Sequence, residues 1–133
     1  MPDYNLDTGQ DAYGHLSPML GQQLTAAATG TAAGTIVPGA VGNGAPTILN
    51  AIDMFGSFTI TGTAASGIIA AVFFYNPLPG TPKSIQCGAV LTAGGAVAGI
   101  PCSGLIPAGL TQLNIYGGAF TAASYTVYYQ ILC

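Results

Sequence analysis

The chain has almost no charge. Its 133 residues include one Lys/Arg-type cation, Lys83, one histidine, His15, and four acidic residues, all aspartate. Glu, Arg and Trp are absent. Charged residues make up 4% of the chain, against about 25% in ordinary globular domains. None occurs between Ser84 and Cys133. Each shortage excludes something. One cation cannot neutralise a run of phosphates, so a nucleic-acid partner is not expected. The net charge of −3 likewise opposes electrostatic docking on an anionic membrane. Catalysis needs an acid, a base, an activated nucleophile or a ligand set, and these parts are scarce. No cofactor, metal or catalytic residue is expected.

Individual candidates do not change that reading. His15 could serve as a general base only with an acid or nucleophile folded beside it, and in the N-terminal segment it reads as a surface histidine. Asp53 has no second carboxylate near it to form a pair. Asp53 fits a turn residue, an N-cap or a buried hydrogen-bonding group. Asp3, Asp7 and Asp11 lack the spacing of a calcium loop and have no Glu to close one. GAVGNGAP and LTAGGAVAG are glycine-rich but carry neither the P-loop Lys-Ser/Thr nor a complete dinucleotide fingerprint. Cys87, Cys102 and Cys133 form no CxxC motif, and one histidine makes no zinc set. They read as small buried hydrophobes, with a Cys87–Cys102 bridge left open.

Long apolar runs are also missing. Val90–Leu110 is uncharged, but Gly94, Gly95, Gly99, Pro101, Gly104, Pro107 and Gly109 break it. A membrane-spanning helix is therefore not expected. The opening MPDYNLDTGQDAYGH is acidic and polar, the reverse of a secretory signal.

What remains is a texture of Ala, Gly and Thr with β-branched and aromatic runs. Residues 1–23 hold three of the four aspartates and the apolar side chains of Tyr4, Leu6, Tyr13, Leu16 and Leu20. They read as an extended N-terminal arm, either solvated or laid on a neighbour. Residues 24–133 read as a single domain. In residues 24–50, weak strands are joined by turns at Pro38-Gly39 and Asn43-Gly44. Strands follow at Met54–Thr63, Gly67–Tyr75, Ser84–Ala93, Val97–Cys102, Leu110–Tyr116 and Ser124–Cys133. The apolar run Gly67–Tyr75 suits a strand buried on both faces or at a sheet centre. Asn76 to Pro82 is a loop with three prolines. In the last strand Tyr125, Val127, Tyr129 and Ile131 share one face, and Thr126, Tyr128, Gln130 and Leu132 the other. The fold class is all-β, an antiparallel β-sandwich or jelly roll with an extended N-terminal arm.

The C-terminal half, IPAGLTQLNIYGGAF followed by ASYTVYYQIL, places a Pro-Ala-Gly turn before an alternating strand, a Gly-Gly turn and a closing Tyr/Val strand. Over residues 51–133 this pattern resembles the small jelly-roll decoration (cement) proteins of tailed-bacteriophage capsids. The resemblance implies a dimer or trimer on the virion surface, assembled in the host cytoplasm. It would bridge subunits of the major capsid protein through neutral, apolar contacts. The resemblance would make Tyr4 to Leu20 the arm laid on capsid or neighbour and the 76–83 loop an exposed or contacting tip. It transfers no single residue. The expected partner contacts, Tyr4, Leu6, Tyr13, Leu16 and Leu20 of the arm, Lys83, and Tyr125, Tyr128 and Tyr129 of the closing strand, rest on the residues themselves, since tyrosine offers large area with a polar tip and Lys83 is the one Lys/Arg cation. Two other classes fit the composition. One is a self-assembling extracellular fibre or pilus-like subunit; the other is a phage fibre or receptor-binding head domain.

Overall fold

The computed structural model describes residues 22–93, 96–118 and 120–133. Every regular element among them is a strand: β1 (Thr25–Ala26), β2 (Thr35–Pro38), β3 (Gly42–Ala51), β4 (Phe55–Gly62), β5 (Gly67–Phe73), β6 (Ser84–Ala93), β7 (Ala96–Leu105), β8 (Gln112–Gly117) and β9 (Ser124–Leu132). They form one sheet in the order β1-β2-β5-β8-β7-β6-β9-β4-β3. All pairings are antiparallel except β1–β2. The sheet curls until its two ends nearly meet. Leu24 N–H donates to Ala51 O at 2.8 Å, and Val41 N–H to Ile68 O at 3.0 Å. The result is an all-β, barrel-like sandwich of the jelly-roll class, as the strand pattern predicts.

Side-chain alternation explains the curl. In β9 Tyr125, Val127, Tyr129 and Ile131 are buried, while Tyr128, Gln130 and Leu132 are exposed. Leu113 and Ile115 do the same in β8, and Phe58 and Ile60 in β4. One face of each strand must leave water, and closing the sheet on itself buries all these faces together. In β5, Ile69, Ala70, Ala71 and Val72 are all buried, which matches the two-sided burial expected of that run. Small residues allow close approach inside. The Phe120 ring lies where a Cβ on Gly117 would stand and meets Tyr125 edge to face, with ring centroids 5.1 Å apart.

Tyr125 also locks the entry to β9. Its hydroxyl accepts from Thr121 N–H at 2.6 Å and shares a 2.9 Å hydrogen bond with Thr121 Oγ1. A tyrosine bonded to backbone a few residues upstream is the corner device of Greek-key sandwiches.

Two sequence expectations need correction. Asn43-Gly44 is not a turn between strands but lies inside β3. The positive φ of Gly44, +76°, is absorbed as a bulge, where the register moves from Asn43↔Thr61 to Thr47↔Thr59. A long edge strand tolerates the extra residues because its outer side has no ladder to break. The second correction concerns Gln23, assigned above to the arm. Its side chain donates to Asn50 Oδ1 at 2.9 Å and accepts from Ala51 N–H at 3.3 Å. Gln23 therefore belongs with the folded domain.

Candidate functional site

The polar chemistry of the folded domain is used internally. Asp53 is the one carboxylate side chain among the described residues. It accepts from Tyr75 N–H at 2.8 Å and Asn76 N–H at 3.2 Å. It thus pins the end of β5 to the β3–β4 connection from a half-buried position. Tyr129 donates its hydroxyl to the Ile52 carbonyl nearby. Burial raises the Tyr129 phenol above its ordinary range, and the Asp53 charge and Cys87 push it the same way. Among the described residues no group of His, Cys, Asp or Glu is arranged to hold a metal ion. No helix of the described residues is long and apolar enough to cross a membrane.

The outer face of the sheet offers a broader feature. Residues opposed across strands point the same way, so the register defines rows of neighbours. One row runs Asn50, Ser57, Tyr128, Gly88, Pro101 across β3, β4, β9, β6 and β7. The next runs Thr47, Thr59, Thr126, Val90, Gly99. On the other side Phe55, Gln130 and Gln86 form a third. No charged side chain stands in any of them. The Tyr128 ring folds over Gly88, where a Cβ would collide with it. Tyr128 is 49% exposed and Phe55 44%. Together with Asn50, Ser57 and Gln130 they line an open depression of about 500 Å³. Leu132, opposite Ser84, extends the apolar surface, and Val97 and Leu105 lie outward on β7.

The proposed contact residues separate on this structure. Tyr128 lies on the outer face, but Tyr125 and Tyr129 do not. They are 1% and 2% exposed, because alternate residues of β9 face the core. As partner contacts they are corrected to core residues. Lys83 is exposed at the end of the proline-rich loop, and its backbone N–H donates to Leu132 O at 2.6 Å. That loop is less free than its composition suggests, since Leu78 is buried and its N–H donates to Leu110 O at 2.9 Å. Tyr4, Leu6, Tyr13, Leu16 and Leu20 lie outside the described residues. Phe55, Leu105, Val97 and Leu132 were not singled out from sequence. Strand alternation marks Leu132 as the face-mate of Tyr128; the other three become visible only once strands are paired.

Comparison with protein-family models, with curated proteins and with solved structures finds no match to this chain.

Proposed function

We propose that this chain is a structural virion protein that decorates and cements a major capsid shell, working as a dimer or trimer on the capsid exterior. The observation that carries the reading is the charge-free outer face of β3, β4, β9, β6 and β7, with Phe55, Tyr128 and Leu132 exposed on it. Exposed apolar patches of this kind mark surfaces that meet other protein. Tyr and Phe supply large contact area with few rotors to freeze. Complete burial of one such side chain contributes about 1.5–3 kcal/mol, and a lattice multiplies a weak contact through effective concentration. The described domain carries one Asp and one Lys, so little in it responds to ionic strength.

The fibre-subunit reading fits less well. Open polymers grow from long, flat sheet edges. Here one edge, β1, has two residues, and the other, β3, is interrupted by register shifts at Asn43/Thr47 and Ile48/Asn50 and carries Pro46. Both are devices that blunt an edge. The receptor-reading head domain has one observation in its favour: the Phe55–Tyr128 depression bordered by the amides of Asn50 and Gln130 could stack and hydrogen-bond a sugar ring.

The test uses the full-length chain with shells assembled from the major capsid protein of the same phage. Decoration predicts a closed dimer or trimer in solution and co-sedimentation with shells. Replacing Tyr128→Lys or Phe55→Lys weakens attachment at least about tenfold, each placing an unpaired charge in a buried contact. Filaments from the isolated chain would promote the fibre subunit. Glycan binding lost in the same variants would promote the receptor reader.

A further inference from the structure

Cys87 in β6 and Cys102 in β7 are register partners in the antiparallel hairpin, and the ladder runs without a shift to them from Ala93↔Ala96. Opposed residues share a face, and both side chains are half-buried against the core. Opposed Cα atoms in such a ladder stand about 4.5 or 5.5 Å apart, depending on the bonding pattern of the pair. Both values fall within the roughly 4.4–6.8 Å that a disulfide spans. The third thiol is out of range. Tyr129 faces Cys87 across β9, and Cys133 lies four residues beyond it, about 13 Å along the strand. The Cys133 Sγ turns instead to Gly80 O at 3.7 Å.

The two opposed sulfurs differ in access. Cys102 lines an open depression of about 410 Å³ with Pro101, Ser103, Tyr116, Gly117 and Gly118. The Cys87 sulfur lies deeper. A Cβ placed on Gly104 would come within 3.0 Å of it and 2.8 Å of Leu113, so the missing side chain at Gly104 makes room for the Cys87 thiol beside the core.

The geometry points to a redox-active dithiol in the β6–β7 hairpin, in which Cys102 attacks a small-molecule disulfide and Cys87 resolves the adduct into an intrachain bridge. In the first step the Cys102 thiolate displaces one thiolate from the small disulfide and leaves a mixed disulfide. In the second the Cys87 thiolate attacks the Cys102 sulfur and expels the other. Two protein thiols lose two protons and two electrons, and the small disulfide becomes two thiols. Burial raises both protein thiols, Cys87 to about 12, which makes the exchange slow at neutral pH because the thiolate is the attacking species. Cross-strand Cβ atoms stand about 4.5–5.5 Å apart, and a disulfide wants about 3.5–4.5 Å. The bridge therefore draws the strands together, and the strain keeps it reducible.

The experiment exposes the full-length chain to oxidised glutathione, quenches by alkylation and maps the peptides by mass. The expected product is an unreduced chain lacking two hydrogens, with Cys87 joined to Cys102 and Cys133 alkylated; dithiothreitol reverses it. Cys87→Ser stops at a glutathione adduct on Cys102, and Cys133→Ser behaves as the parent. Three results overturn the inference: a lasting Cys102 adduct in the parent chain, a Cys133-linked dimer as the main product, or three intact thiols after prolonged excess oxidant. The parent map decides by itself, so a variant that folds poorly does not remove the test.

Discussion

Three tyrosines within five residues of one strand should respond very differently to the loss of a single oxygen atom. Tyr129 is buried and donates its hydroxyl to the Ile52 carbonyl, a contact that joins positions 77 residues apart. Tyr129→Phe leaves that carbonyl unsatisfied, a loss of about 1–3 kcal/mol. At ~4 °C per kcal/mol for a domain of this size, the Tm falls by roughly 4–12 °C. Tyr125→Phe strands Thr121 N–H and removes the partner of Thr121 Oγ1. That site is only partly buried, so water restores some of the loss, and about 0.5–1.5 kcal/mol is expected. Tyr128→Phe alters an exposed ring and should stay within about 0.5 kcal/mol of the parent. The assay is urea unfolding of each full-length variant, with an unchanged m-value required for the comparison. The ranking Tyr129, Tyr125, Tyr128 follows from which face of β9 each side chain occupies. Equal losses in all three, or the largest at Tyr128, would refute the assignment of faces.

Three further outcomes follow from the packing. Below about pH 9 Cys87 is protonated in folded and unfolded chains alike; between its ordinary value of 9.0 and the folded value of about 12 the unfolded chain releases the proton first, so stability falls as pH rises. Tyr129 is raised too and adds a loss of the same sign above its ordinary 10.0; thermal melts at stepped alkaline pH read both, and Cys87→Ala should flatten the early part. Gly117→Ala drives a methyl group into the Phe120 ring and should destabilise by about 1–3 kcal/mol, whereas Gly80→Ala, with open space around it, should be nearly silent. Asp53→Ala removes the acceptor of Tyr75 and Asn76 and should cost about 1–3 kcal/mol, with hydrogen exchange at those two amides rising first.

Much of the strand pattern was legible because the β-branched and aromatic runs carry a period of two. Leu113 and Ile115 in β8 and the Tyr125–Ile131 face of β9 show it plainly. The reading failed where one residue type serves two local structures. Asn43-Gly44 signals a hairpin turn and equally a glycine bulge, and only the pairing of β3 with β4 separates them. The tyrosines of β9 failed differently. Alternation divides Tyr128 from Tyr125 and Tyr129, but both faces are apolar, so nothing local says which one is inside. The β6–β7 register was recoverable in principle. A two-residue connection at Gly94-Gly95 places Cys87 opposite Cys102, although spacing alone does not establish that the strands pair. Phe55 and Leu105 reach the outer face through strand order, which no local pattern encodes.

The central claim is that a neutral outer sheet face makes the contact. It is tested most directly by measuring attachment of the full-length chain to capsid shells as salt is raised to about 1 M, where the Debye length shrinks to about 3 Å. Contacts made by Phe55, Tyr128, Leu132 and their uncharged neighbours predict affinity that holds or rises slightly across that range. A steep fall with salt, unaffected by Tyr128→Lys, would contradict it and move the contact to the charged residues of the N-terminal segment.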